Sequence, residues 1–250
     1  MKTSGNTILI TGGATGIRLA LAEILLQNKN EVIICGRRQD KLEEALQKLP
    51  GIHIKQCDVS VEANRKELIT WTISNFPGFN ILVNNAGIQQ MLFLKEEISN
   101  EKITDEISIN LIAPIHLTNL VVKQFMNQPD AAIINITSGL GFVPITVLPV
   151  YCATKAALHL FSVSSRFQFK DTSIKVFEII PPIVDTELDR GTRDKRGMTY
   201  RGIPPSEVAS ETFKAIAEDR LEYPIGQTAD LFNSVQSEKA KFIFDRMNQH

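Results

Sequence analysis

Tyr151 and Lys155 stand one helical turn apart in the run YCATK, a spacing that puts both side chains on one face of a helix. A free phenol titrates near about pH 10, too high for efficient proton exchange at neutral pH. A neighbouring ammonium favours the phenolate and lowers that value, so the pair is a candidate general acid/base. Tyr and Lys at this spacing also occur by chance, and their surroundings must decide. Ser138, thirteen residues earlier, closes the strand-like run AAIINITS. Carboxyl ends of parallel strands are where open α/β sheets bind ligands. Asn110 lies in the helical stretch EISINLIAPIHL, four residues ahead of Pro114. Proline has no N–H and clashes with the carbonyl four residues back, which frees the Asn110 carbonyl to accept from water or another donor. A simple packing kink explains the same pattern.

A second set of residues suits a dinucleotide. TILITGGATGIRLALAEILL, residues 7–26, reads as strand, glycine turn and helix. Gly12, Gly13 and Gly16 let the chain turn tightly and let backbone approach a pyrophosphate, whose charge the helix N-terminus favours. Many tight turns contain such a cluster, so the stretch is weak by itself. Arg18 stands where a third glycine is expected, at the head of the apolar stripe of Leu21, Ala22 and Leu25. A side chain there should push outward toward the cleft. A cation in the first helical turn is unfavourable by about 0.3–1 kcal/mol, and a bound phosphate reverses that sign. Arg18 beside the phosphates, Arg18 in solvent without a role, and crippled binding all remain open. At the end of the second strand, ICGRR, Gly36 occupies the position where an acid would hold a ribose 2′-hydroxyl. Arg37 and Arg38 follow, and guanidinium groups bind a 2′-phosphate that an acid would repel. NADP(H) is therefore expected over NAD(H), a solvated basic turn being the alternative; helix capping accounts for Asp40.

These residues need elements to carry them. Strands are predicted at 7–12, 31–36, 53–59, 80–87, 131–138 and 174–181, and helices at 16–28, 39–48, 62–75, 101–126 and 151–169. The strands are rich in Val and Ile and mostly unalternating, as strands covered on both faces should be. Repeated β–α units predict an α/β, single-domain Rossmann fold over 1–250: a doubly wound parallel β-sheet flanked by helices on both faces. The stretch 186–205 is polar, glycine-dotted and without periodicity, and reads as a long lid loop. Arg190, Arg193, Lys195, Arg196 and Arg201 could attract an anionic substrate there, but Glu187, Asp189 and Asp194 interleave with them, so a solvated loop is expected. A helix (206–219), a short strand-like EYPIG (222–226) and an amphipathic tail, KFIFDRMNQ, follow; the tail is free to pack on the core, a partner subunit or the substrate cleft. Between Ser138 and Tyr151 runs GLGFVPITVLPV, whose apolar character suits a small hydrophobic ketone, aldehyde or alcohol, or ordinary core packing.

With 22% charged residues and a formal net charge of −1, composition gives no reason to expect nucleic acid or a charged membrane surface as partner. No apolar run is long enough for a membrane span and no leader-like segment is evident, so a cytoplasmic location is expected. Cys35, Cys57 and Cys152 match no zinc or redox spacing; reduced, buried thiols and no metal are expected.

T-G-x-x-x-G-I at 11–17, N-N-A-G at 84–87, Asn110, Ser138 and Y-x-x-x-K at 151–155 together resemble the short-chain dehydrogenase/reductases, in the family's order and over nearly the whole chain. PPIVDTEL at 181–188, EYPIGQTADL at 222–231 and the terminal FDRMNQ look most like the DltE-type oxidoreductase branch. The resemblance implies an NADP(H)-dependent enzyme that interconverts a carbonyl and an alcohol by hydride transfer. It makes Tyr151 the general acid/base, and Lys155 the group that lowers its pKa and holds the nicotinamide ribose. Ser138 would polarise the substrate carbonyl, and Asn110 would support a water-linked proton relay. Cofactor contacts fall to Gly12, Thr15, Gly16 and Ile17 at the glycine turn and to Arg37 and Arg38 at the 2′-phosphate. Asp58 and Val59 match the adenine-contacting pair, and Asn85, Ala86 and Gly87 line the cofactor. Pro181, Val184 and Thr186 fall beside the carboxamide. A homodimer or homotetramer with helices 101–126 and 151–169 packed across subunits is implied too. Two positions depart from the family pattern: Arg18, and Pro182 in place of a glycine, which stiffens the turn. The rival reading, a dinucleotide-binding sensor or interaction protein with vestigial chemistry, draws on Arg18 alone. An extended-type epimerase fits less well, since its glycine spacing differs.

Overall fold

Seven short runs, most of them rich in Val and Ile, form the strands β1 (Thr7–Thr11), β2 (Glu31–Gly36), β3 (His53–Gln56), β4 (Phe79–Asn84), β5 (Ala131–Ile136), β6 (Ile174–Ile180) and β7 (Glu222–Pro224). All pair in parallel in the order β3-β2-β1-β4-β5-β6-β7. The computed structural model describes residues 1–12, 15–235 and 246; Gly13 and most of the tail from 236 onward lie outside the described residues. Nine α-helices are described: α1 (Ile17–Gln27), α2 (Gln39–Lys48), α3 (Glu62–Asn75), α4 (Asn100–Ile107), α5 (Ala113–Phe125), α6 (Pro149–Gln168), α7 (Glu187–Lys195), α8 (Pro205–Ala217) and α9 (Thr228–Ser234). Among the described residues no helix is long and apolar enough to cross a membrane.

Strands β1, β4 and β5 are buried at every position, because helices cover both faces of the sheet. Successive side chains point to opposite faces. Ile8 and Ile10 therefore join Leu21, Leu25, Val208 and Ile216 of α1 and α8 in one core layer. Leu9 joins Leu68, Leu117 and Val121 of α3 and α5 in the other. The strand order reverses between β1 and β4, and the crevice at that switch point is where such sheets take ligands.

Three sequence expectations are corrected. The helix expected over 101–126 is broken into α4, a π turn at Ser108–Ile112 and α5. Ala113 N donates to Ser108 O, five residues back, because Pro114 brings no N–H to continue the regular ladder. The loop expected over 186–205 contains α7. Its sequence has no apolar stripe to betray a helix, but Arg193 and Lys195 in its last turn suit the helix dipole. Arg193 is not solvated either: it is buried, and donates to Tyr200 O at 3.2 Å. Finally, β3 and β4 stop at Gln56 and Asn84, so Cys57–Val59 and Asn85–Gly87 run beyond the sheet into the crevice.

Candidate active site

The crevice begins where β1 ends. Thr11 Oγ1 donates to Val83 O at 3.2 Å and accepts from Asn85 N and Ala86 N at 3.1 and 3.2 Å, which ties the 85–87 segment to the glycine turn. Gly12 has φ +112°, and a Cβ there would sit 2.6 Å from Ala86 Cα. Two backbones touch at this point, so only glycine fits. Gly12, Gly36, Arg37, Asp58, Val59, Ala86 and Gly87 line one groove, joined by Cys57, Ile88 and Ile109. The Asp58 carboxylate accepts from Ser60 N and Oγ at 2.9 and 2.7 Å and shapes the loop.

Thr15 and Ile17 are half-buried at the start of α1. Thr186 lies over that start, its Cγ2 2.9 Å from where a Cβ on Gly16 would be. The 184–186 segment is held there by a bridge between Val184 and Ile203 and by Asp185 N donating to Ile203 O at 2.9 Å. Pro181 O accepts from Gly139 N at 3.4 Å, which brings it beside the turn that follows Ser138. Arg37 and Arg38 are exposed, and Arg38 lies 3.6 Å from Glu187 of α7. Arg18 is not in open solvent. Its side chain folds back to donate to the Gly12 carbonyl, and desolvation pulls the guanidinium down to about 10.

The other end of the crevice is built by α6. Pro149 starts that helix, and Tyr151 and Lys155 follow within its first two turns, each 5% exposed. Lys155 Nζ sits 5.7 Å from the centroid of the Tyr151 ring and donates to Ile136 O at 2.8 Å. Burial pulls the Lys155 ammonium down to about 8; Arg18 adds to the effect and the carboxylate of Glu178 opposes it. Ser138 lies just past β5, and its Oγ accepts from Leu140 N at 3.2 Å, opening a 3₁₀ turn at Gly139–Gly141. A Cβ on Gly141 would come within 2.9 Å of the Lys155 carbonyl carbon, so the turn after Ser138 rests directly on the α6 backbone.

Asn110 projects from the π turn. Its Oδ1 accepts from Ile88 N at 2.9 Å, and its Nδ2 donates to Ile88 O and Thr154 Oγ1 at 2.9 and 3.2 Å. Both Asn110 Oδ1 and Lys155 Nζ converge above Gly87, at 3.4 and 3.9 Å from a Cβ placed there. Around Tyr151 pack Ile145, Leu148 and Cys152, with Met91, Leu140 and Val147 behind them. The fold thus brings Asn110, Ser138, Tyr151 and Lys155 to the same end of the sheet as the groove. A glycine-floored groove with cations at its rim, leading to a buried Lys and Tyr, suits a dinucleotide.

Sequence reasoning missed several members. All three cysteines are free and buried as expected; the neighbouring Cys57 and burial raise the Cys35 thiol, while Cys57 Sγ itself donates to Asn64 O at 3.6 Å. Glu106, one turn ahead of Asn110, is fully buried. Its Oε1 accepts from Gln90 N at 3.2 Å, and its Oε2 has no hydrogen-bond partner among the described residues. Burial pushes this carboxyl up from 4.5 to about 7. A folded-state pKa above the unfolded value gives stability that is full below about pH 4.5 and is lost as pH rises through about 7. Glu106→Gln, which keeps the shape without the charge, should therefore gain about 2–3 kcal/mol on the natural chain between pH 5 and pH 8. Denaturant titrations at the two pH values read it, and a pH-independent difference counts against a buried proton on Glu106.

The doubly wound sheet with a glycine turn at its switch point defines a Rossmann-type fold. The sequence profile described as short chain dehydrogenase matches residues 6–197; the chain belongs to that family and is an oxidoreductase of the DltE type. It is 46% identical over 249 residues to the "Uncharacterized oxidoreductase DltE" of Bacillus subtilis (strain 168), covering 99% of this chain and 98% of the relative. It is 30% identical to an uncharacterized oxidoreductase of Staphylococcus epidermidis, covering 76% of this chain and 83% of that one. A short chain dehydrogenase from Burkholderia cenocepacia J2315, solved in complex with NADP, superposes with a TM-score of 0.84 over 99% of both chains at 20% identity, a likeness of fold.

Proposed function

We propose that the chain is one catalytic unit, an NADP(H)-dependent oxidoreductase that interconverts a small hydrophobic carbonyl compound and its alcohol. The observation that carries this reading is the buried Lys155 ammonium beside the Tyr151 ring, fixed by Ile136 O and facing Gly87 together with Asn110. A bound nicotinamide supplies or accepts the hydride. Ser138 donates to the substrate oxygen and orients it. The Tyr151 phenol gives that oxygen a proton in reduction and takes it back in oxidation, while the Lys155 ammonium stabilises the phenolate. Pro114 offers no N–H to the Asn110 carbonyl, which leaves that oxygen suited to order a water that refills the phenol's proton. The apolar wall of Ile145, Leu148 and Met91 keeps bulk water from the reacting oxygen and favours an apolar substrate.

At the other end, Arg37 and Arg38 hold a 2′-phosphate, with Asp58 and Val59 beside the adenine and Asn85–Gly87 along the groove. Thr15, Gly16 and Ile17 present backbone N–H groups to the pyrophosphate, and Pro181, Val184 and Thr186 close over the carboxamide. The NADP complex of the Burkholderia neighbour agrees with this choice of cofactor. Exposed Ile112 and Ile115 near the start of α5 and Leu160, Val163 and Phe167 on α6 support a homodimer or homotetramer; sedimentation showing only monomer at micromolar concentration would retire that part.

The test is a panel of apolar ketones and aldehydes with NADPH and with NADH. Turnover with NADPH preferred by about tenfold or more is expected. Tight NADPH binding with no turnover across the panel would favour a sensor, the reading that Arg18 folded onto the Gly12 carbonyl also suits. Arg18→Gly should weaken NADPH binding by about threefold to tenfold, more at low salt, because its guanidinium turns from the Gly12 carbonyl to the phosphates. A tighter complex in the variant would instead identify Arg18 as an obstruction.

A further inference from the structure

Glu178 on β6 is a fully buried carboxylate that the proposed reaction does not use. Its Oε1 accepts from Thr137 Oγ1 at 2.8 Å, and its Oε2 accepts from His159 Nδ1 at 2.9 Å. Thr137 is the residue before Ser138, and His159 lies one helical turn past Lys155 on the same face of α6. Lys155 itself donates to Ile136, the last residue of β5. The end of β5 and helix α6 are therefore tied twice: by Lys155 to Ile136, and by His159 through Glu178 to Thr137. We propose that Glu178 and His159 form a positioning dyad that locks α6 against the end of β5 and so holds Lys155 in place for catalysis.

The surroundings suit a charged strut. From β7, Glu222 Oε1 lies 3.9 Å from His159 Nδ1, and from the far end of α6 Arg166 lies 3.8 Å from Glu222. Phe142 packs edge-on against His159 with centroids 4.7 Å apart, and Phe232 of α9 packs on Phe142 at 5.1 Å. The hydrogen bond to Glu178 and its charge hold the imidazole above its ordinary value, while the same carboxylate raises Lys155 against the desolvation that lowers it. A buried carboxylate hydrogen-bonded to an imidazole offsets the burial cost of both, whereas an uncharged residue at 178 would remove a negative charge that favours the Lys155 ammonium.

The dyad rests on the role proposed for Lys155, and two measurements keep the two readings apart. The first needs no substrate: NMR titration of the His159 imidazole in the natural chain and in Glu178→Gln. A titration point above about 6.5 that drops to or below it in the variant is expected; a His159 that titrates at or below about 6.5 in the natural chain overturns the dyad. The second is the pH profile of NADP⁺-linked alcohol oxidation. The falling limb set by Lys155 should move down by about one pH unit in Glu178→Gln, with kcat reduced about tenfold and KM within about threefold. In His159→Gln, which keeps a neutral donor to Glu178, the limb should stay in place. Equal losses in both variants with an unmoved limb would make the pair ordinary packing and sink the inference. A natural chain without any turnover would instead count against the proposed function.

Discussion

Replacing Tyr151 with phenylalanine should lower kcat for carbonyl reduction by about 10³-fold, inside the range of about 10²–10⁴ that general acid/base groups supply, and leave NADPH affinity within about threefold. The physical reason is the narrowness of the change. Phenylalanine keeps the ring that packs on Ile145, Leu148 and Cys152, so the apolar wall and the start of α6 stay intact. What disappears is one oxygen and its proton, at a residue 5% exposed, where bulk water cannot easily stand in for it. Single-turnover and steady-state rates should fall together, because the missing interaction exists only as charge develops on the substrate oxygen. Undiminished turnover would exclude Tyr151 as the acid.

Lys155→Met should separate activity from stability. Activity is expected to fall by about 10²-fold or more, because the phenolate loses its counter-charge. NADPH affinity should fall as well, because the nicotinamide ribose loses a donor. Stability should move the other way. The Lys155 pKa is depressed from 10.5 to about 8, so the folded state disfavours the charged form. That penalty is present at neutral pH and is relieved as pH rises from about 8 to 10.5. Methionine removes the penalty but leaves Ile136 O without its donor, a loss of about 1–2 kcal/mol, for a net gain of about 1–2 kcal/mol at pH 7. The gain should shrink toward pH 10. A variant both inactive and strongly destabilised at pH 7 would mean that Lys155 is chiefly structural. In the natural chain, alcohol oxidation should decline above about pH 8 as this ammonium loses its proton.

The cores of the strands and five of the helices were legible because burial on both faces forces unbroken Val/Ile runs, and one-sided burial forces a 3.6-residue stripe. Pro114 signalled a disturbance of the ladder, yet not its form. A π turn arises only when the chain on both sides is already packed as helix and must absorb an extra residue. Helix α7 was illegible for the opposite reason: a run without apolar periodicity carries no signal of which face it buries. Arg193, buried in that polar helix, was invisible for the same cause.

The candidate site divides along similar lines. Residues close in sequence announce themselves by spacing, as Tyr151 and Lys155 do, and glycines at a strand–helix junction announce a turn. Contacts between distant segments leave no such trace. Nothing beside Glu106 in the sequence marks its burial, which depends on the distant segment that brings Gln90 N to its carboxylate. Glu178 stood inside an apolar strand with its partner His159 nineteen residues earlier, and nothing local joins them.

By itself the sequence determined a doubly wound sheet, its glycine turn, the Tyr–Lys pair and the family to which the chain belongs, because each follows from short-range periodicity, steric demand or motif spacing. Tertiary structure alone decided where Arg18 points, which carboxyls are buried, and how the end of β5 is tied to α6. Those outcomes depend on desolvation and on partners far apart in the chain, and both come into being only when the segments close around one another.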